Sequence, residues 1–254
     1  QVVKLHFENL NERAHYWLEV RDAGNELIDR RQFSLLDLDR RSVRIAFVSC
    51  VFDHLYNESV WSALIESEPD LVFFIGDNVY ADRLNLVRGR AADREQLWKR
   101  YRQTWQVISY FYQPDLIPTL ATWDDHDYGD NDRGADFEHK WDALETFNDY
   151  YPQTSSFTPN LTKGPGVARV FQGFNQSFFL MDNRFFRSKK GSKNATHWGK
   201  DQEDWLMSEL QRSGRFNWMI NGSQFFGGYR SKESYEGEAP KNFQALLNNL
   251  KQMS

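Results

Sequence analysis

The chain has 254 residues, enough for one large domain or one domain with a small appendage. A net charge of −5 without a long Lys/Arg run argues against long nucleic acid as a partner. No apolar run approaches the roughly 20 residues of a transmembrane segment, while 20 Phe, 11 Tyr and 9 Trp supply ample core material. The single cysteine, Cys50, excludes an intrachain disulfide. The chain begins at Gln1 with no visible signal peptide, so removal of an upstream piece is expected.

Residues 1–41 carry the segments "VVKLHFENL", "HYWLEVRD" and "NELIDRRQFSL", partly alternating and joined by turn residues such as Asp22-Ala23-Gly24-Asn25. They predict two or three β-strands, too few for an independent sandwich. The expectation is a β-strand appendage over 1–41, the remnant of a small β-domain or an addition to the main sheet, before a principal domain at 42–254.

From Arg44 strand and helix alternate. "VRIAFVSC" reads as a buried strand, "NESVWSALIESE" as a helix with Val60, Leu64 and Ile65 inward, and "PDLVFFIGD" as a second buried strand. This βαβ order implies parallel pairing. In "DREQLWKRYRQTWQVISYFYQ", Leu97, Tyr101, Trp105, Ile108 and Tyr112 recur at spacings of 4, 4, 3 and 4, one face of a helix that Pro114 stops. "LIPTLATW" is a third strand and "DALETFNDYY" a helix ending before Pro152. Residues 152–166 read as surface loop, and "VARVFQGFNQSFFLMD" as a hairpin turning near Gly173. "KDQEDWLMSELQRSG" is a helix opened by Asp201 and closed by Gly214, with Trp205, Leu206 and Leu210 inward. "FNWMINGS" is a strand, 227–237 a loop, and "NFQALLNNLKQM" a last helix.

The stretch "TWDDHDYGDNDRG" places Asp124, Asp125, Asp127, Asp130 and Asp132 within nine residues beside His126, with no basic residue before Arg133. Two carboxylates about 4 Å apart repel by roughly 1 kcal/mol in water, and by about 4 kcal/mol at an effective dielectric near 20. A solvated loop tolerates this; a packed site needs a positive partner that the stretch lacks. An EF-hand is excluded, because neither "DHDYGD" nor "DNDRG" has its ligand spacing.

Three groups share one topological address. Cys50 ends the strand from Val43, Asp77 follows the strand at 71–75, and Asp124, Asp125 and His126 follow the strand at 117–123. Ligand sites of open α/β sheets lie beyond the carboxyl ends of strands. Carboxylates favour hard cations and a thiolate favours a softer or redox-active metal, so the set suits two unlike metals. A bridging carboxylate would hold them about 3.5–4 Å apart around an activated water. Singly, each piece has a plain reading: Cys50 as a small buried hydrophobe, "GDN" as a turn, the acidic stretch as exposed loop. Their joint placement favours a site.

"FVSC", "PDLVFFIGDNVYAD", "TWDDHDYGDND", "LMDNRFFR" and "WGKDQEDWLMSEL" occur in the order expected of the PhoD-like alkaline phosphatases, a metallophosphatase family that the chain resembles over about residues 43–225. The resemblance implies an α/β fold, a four-layer αββα metallophosphatase sandwich. It implies Cys50 and Tyr80 on Fe3+, Asp77 bridging to Ca2+, Asp125 on that second metal, and His126 on the phosphoryl group. Asp124, Asp127 and Asn131 would be supporting groups or extra calcium ligands, and Asp182 with Arg184 a buried structural ion pair.

Two departures stand out. Ala81 and then Asp82 follow Tyr80 where the family often has Glu directly after the tyrosine. No G-D-x-H follows 216–224, and His139 and His197 lack the context to replace it, so a C-terminally truncated piece is expected. The implied function is hydrolysis of a small-molecule phosphate ester by a metal-activated hydroxide, outside the cell or in the periplasm. The alternatives are a non-catalytic metal-binding extracellular module that keeps the fold, or a phosphodiesterase or phospholipase-type hydrolase using the same site.

Overall fold

The computed structural model describes residues 2–11, 14–84, 87–153, 160–189, 191–213, 216–228 and 233–253. The chain opens with an antiparallel hairpin, β1 (His15–Arg21) and β2 (Leu27–Ser34), closed by a turn in which Asp22 Oδ1 accepts from the Gly24 and Glu26 amides. Elements then follow as β3 (Ile45–Val48), α1 (Glu58–Glu66), β4 (Leu71–Ile75), a small ladder β5 (Arg83–Leu84) and β6 (Val87–Arg88), and α2 (Arg94–Val107). Next come β7 (Thr119–Thr122), α3 (Asp125–Tyr128), α4 (Lys140–Tyr150), β8 (Leu161–Lys163), β9 (Arg169–Gly173) and β10 (Gln176–Leu180). The last elements are α5 (Lys200–Leu210), β11 (Phe216–Ile220), α6 (Tyr235–Glu238) and α7 (Pro240–Met253).

The expected parallel unit is a sheet of order β3-β4-β7, and a second, mixed sheet runs β11-β10-β9-β8. Successive strand residues point to opposite faces, and this alternation builds the layers. Leu71 and Phe73 of the first sheet meet Phe171, Phe178, Leu180 and Ile220 of the second in one buried layer. Val72 and Phe74 face the other way, against Trp61, Leu97, Tyr101 and Phe147 of α1, α2 and α4. Beyond the second sheet, Val170 and Phe179 pack on Leu206, Phe243 and Leu246 of α5 and α7. The order is helix, sheet, sheet, helix: an αββα sandwich.

Several local expectations are corrected. "VVKLHFENL" is not a strand; Val2 packs on the main core and Lys4 pairs with Asp149 at 2.6 Å. The hairpin is a separate sheet, joined to the rest where Gln32 N donates to Pro114 O and Leu116 N to Gln32 O, both 2.8 Å. β3 is a half-exposed edge strand, with Phe47 46% exposed beside the similarly open Trp218 and Phe216 of β11. In α1 Leu64 faces the core as expected, joined by Trp61, stacked on Phe74, while Val60 is exposed. α2 stops at Val107, with Ile108 extended and Tyr112 exposed. A 3-10 turn at Ser109–Phe111 follows, in which Phe111 stacks on Trp105 at 4.3 Å and Tyr110 packs on Phe74 at 5.4 Å. Ring packing there overrides the helical period. The loop at 227–237 contains the start of α6, and Gly214 and part of 152–166 lie outside the described residues.

Two glycines bring the strand ends together. A Cβ on Gly76 would stand 2.9 Å from Asp124 Cβ and 3.0 Å from Gly222 Cα, and one on Gly222 would stand 2.5 Å from Trp123 O. Only bare backbone lets the loops after β4, β7 and β11 converge this closely. Phe178→Ala, which empties the layer between the sheets, is expected to cost about 3–5 kcal/mol in urea unfolding. An unchanged unfolding midpoint would contradict the packing described.

Candidate metal centre

Cys50 and Asp77 leave their strands in the left-handed region, with φ of 55° and 54°. Non-glycine residues occupy it at a cost that the surrounding structure must bear. Here the Cys50 amide donates to Gly76 O at 3.2 Å and the Val51 amide to Asp77 O at 2.8 Å. The two turns lock each other and carry both side chains to the same edge.

Asp77 is the hub. Its Oδ2 accepts from Tyr80 OH at 3.3 Å and lies 3.6 Å from Cys50 Sγ, and its Oδ1 lies 3.4 Å from the His126 amide. One ligand atom each from Asp77, Asp125 and His126 lies within 4.8 Å of the others. The Tyr80 ring stacks on His126 at 4.1 Å. Cys50, Asp77, Tyr80, Asp125 and His126, from three strand ends, thus meet around one carboxyl group.

The electrostatics are those of a ligand set holding protons. Burial, then the charges of Asp124, Asp125 and Asp127, push the Asp77 carboxyl well above its ordinary range. Burial acts the same way on Asp125, but Arg184, His126 and the Asp132 amide overcome it and hold Asp125 at about 2. Neighbouring carboxyls do not both ionise cheaply, and of the two it is Asp77 that is pushed up. Burial and the Asp77 charge raise the Cys50 thiol and the Tyr80 phenol as well. A carboxyl pushed up by crowding, beside a thiol and a phenol pushed further up, fits cations that would displace their protons.

Asp124, Asp127 and Asp130 have protein partners of their own. Asp124 Oδ1 accepts from Arg184 Nε at 2.6 Å, Asn183 Nδ2 at 2.6 Å and Ser223 Oγ at 3.0 Å. The expected Asp182–Arg184 side-chain pair is therefore corrected: Arg184 pairs with Asp124. Asp182 accepts instead from the Trp123 indole at 2.8 Å and from the Val167, Arg184 and Phe185 amides. Asp127, fully buried, accepts from the amides of Val79 and Asp124. Asp130 accepts from Arg133 at 2.7 Å, and the Asp132 amide donates to Asp125 Oδ2 at 2.8 Å. Asn131, half-buried on the same turn, joins none of these contacts.

Two contributors escaped the sequence reading. Asp82, fully buried, lies with Oδ1 2.6 Å from His126 Nδ1. Its signal was the acid displaced to the second position after Tyr80. Arg100 grips both oxygens of Asp53 at 2.7 and 3.0 Å and donates Nε to Tyr80 O at 3.2 Å, clamping the Cys50 and Tyr80 loops together. Its signal was a cation on the stripe of Leu97, Tyr101 and Thr104, where burial demands a partner.

The model of the PhoD-like phosphatases matches residues 45–246. The chain belongs to this family. A solved structure, described as that of PhoD, shares the fold with a TM-score of 0.72 at 21% identity, over 94% of this chain and 54% of that one. The present chain therefore spans about half the length of that relative. No curated protein matches. All five converging residues of this PhoD-like chain fall within the matched region.

In the PhoD-like centre, burial opposes a charged His126, but the Asp82 hydrogen bond and the charges of Asp125 and Asp77 raise its pKa. A histidine raised above its unfolded value of about 6.5 adds stability that is full below that pH and lost as pH rises through the folded pKa. In metal-free protein, Asp82→Asn is expected to lower the His126 pKa read by NMR of the ring. It should also cost more stability near pH 5 than near pH 9; equal losses would contradict the pairing.

Proposed function

We propose that this chain hydrolyses phosphate esters at a two-cation centre, with Fe3+ on Cys50, Tyr80 and Asp77, and Ca2+ on Asp77 and Asp125. The observation that carries the reading is the convergence of Cys50, Tyr80, Asp125 and His126 on Asp77. Cations bound there would draw charge from the phosphoryl oxygens and activate a water for in-line attack.

The chain's own residues supply the rest. Asp77, whose carboxyl is pushed up, would give its proton up to a bound cation, and Asp125, held low, would meet one as a carboxylate. Arg184 stays behind Asp124 and Asp125 and offsets Asp124, which neither cation would reach. Paired with Asp82 through Nδ1, His126 is held in one orientation, against Tyr80. When protonated, its Nε2–H would donate to a phosphoryl oxygen and then to the leaving oxygen.

The substrate class is a small phosphate ester, in keeping with the family. In this reading 42–254 carries the chemistry, 1–41 is an appended β-segment, and an extracellular or periplasmic location goes with the family. Among the described residues, no helix is long and apolar enough to cross a membrane.

Elemental analysis after loading with iron and calcium, combined with hydrolysis of p-nitrophenyl phosphate and bis(p-nitrophenyl) phosphate, tests this. Both metals are expected to bind, and Asp77→Asn is expected to lower hydrolysis by about 100-fold or more. Metal-loaded protein inert on both esters would make the chain a non-catalytic metal-binding module, and zinc alone would overturn the metal assignment. Calorimetry in buffers of different ionisation enthalpy is expected to show proton release on metal binding, reduced in Asp77→Asn. Unchanged release in that variant would place the held proton elsewhere.

A further inference from the structure

The N-terminal hairpin roofs a cavity. β2 is fastened to the chain at 111–117 by the backbone bonds of Gln32 to Pro114 and Leu116, both 2.8 Å. Arg31 adds a second tie, its Nη1 donating to Phe111 O at 2.6 Å. Between hairpin and body lies a space of about 420 Å³ walled by Leu18, Trp105, Phe111, Leu116, Ile117 and Tyr150. Small-molecule sites span about 300–1,000 Å³ and favour such junctions. The cavity lies at the other end of β7 from the acidic cluster. Thr119, which opens that strand, lines the cavity, whereas Asp124 and Asp125 follow the strand's close.

The walls are set without a ligand. Trp105 stacks on Phe111 with centroids 4.3 Å apart and meets Tyr150 edge-on at 5.3 Å. A guest therefore has little protein to reorder, and ring faces favour a flat aromatic guest. Charge at the cavity cancels: Arg31 Nε lies 3.0 Å from Asp29 Oδ2, and both residues line the space. A charged guest would enter apolar surroundings without a free counter-charge. Gln113 adds a polar demand. It lines the cavity and is only 8% exposed. Its backbone carbonyl accepts from Arg31, but its side-chain amide has no hydrogen-bond partner among the described residues, and neither amide atom is sealed from a water-sized group. A carboxamide offers two donors and one acceptor, which a hydroxyl or carbonyl in the cavity would meet.

We propose that this cavity is a second binding site, for a neutral aromatic small molecule whose hydroxyl or carbonyl hydrogen-bonds Gln113. The site stands apart from the phosphoesterase reading and needs no metal.

The test titrates the chain with 2-naphthol and follows the Trp105 indole 15N–1H signal, assigned by its absence in Trp105→Phe. A saturable shift is expected, with Kd on the order of 100 μM. The charged analogues 2-naphthoate and 1-naphthylmethylammonium are expected to bind at least tenfold more weakly. Gln113→Leu keeps the bulk and removes the amide, and is expected to weaken 2-naphthol about fivefold. Leu116→Trp fills the cavity from an exposed wall residue and is expected to weaken it at least tenfold. No saturable shift in wild type, equal binding of the charged analogues, or full affinity in either variant would overturn the proposal. Should a variant fail to fold, an intermolecular NOE between 2-naphthol and the Gln113 side-chain amide in wild type decides: its presence upholds the contact and its absence overturns it. A Trp105 signal that moves with protein concentration but not with 2-naphthol would assign the cavity to a second copy of the chain and overturn the proposal.

Discussion

One buried guanidinium makes the acidic cluster possible. Arg184 is almost fully excluded from water, bonds Asp124 directly, and lies 3.9 Å from Asp125. Its pKa is raised despite burial, because Asp124 and Asp125 outweigh desolvation. Its charge holds the Asp125 carboxyl low, while burial and the neighbouring acids push that of Asp77, in the same cluster, up. A buried ion of this kind is stable only with its remaining donors satisfied. Arg184 also reaches Ser223 Oγ, and its backbone amide is held by Asp182.

The same residue joins the layers. Arg184 follows the end of β10 in the second sheet, and Asp124 follows the end of β7 in the first. Their contact spans 60 residues of sequence and closes the edge where strands of both sheets terminate. Gly76 and Gly222 permit that closure, and Arg100 with Asp53 fixes the other side, behind Cys50 and Tyr80. Packing between the sheets and charge balance at their edge are therefore one problem. A shift of either sheet would part Arg184 from Asp124 and leave the buried guanidinium without its nearest counter-charge.

Much of this is legible in the sequence where the signal is local. Strand runs such as "LVFFI" and helical periods such as that of Leu97 and Tyr101 identify their elements, and strand ends place Cys50, Asp77 and Asp125 on one edge. The misses are long-range. Spacing suggests a partner for Arg184 two residues away, in Asp182, whereas the fold supplies Asp124. Asp82 looks like a displaced acid until His126 arrives from 44 residues away. The early end of α2 reflects the demands of Phe74 and Trp105, which no helical period records. β3 has the composition of a central strand but occupies an edge, because strand order is a property of the whole sheet.

That edge has a further consequence. β3 and β11 both end their sheets on one flank, where Phe47 and Trp218 lie 6.4 Å apart and, with Phe216, stay open to solvent. Among the described residues neither strand pairs further on that side. Unpaired backbone next to exposed rings is a template for adding strands from other molecules. A net charge of −5 spread over 254 residues supplies little repulsion against it. This flank is thus where a further strand could be added, and a lysine at Phe47 or Trp218 would disfavour such pairing.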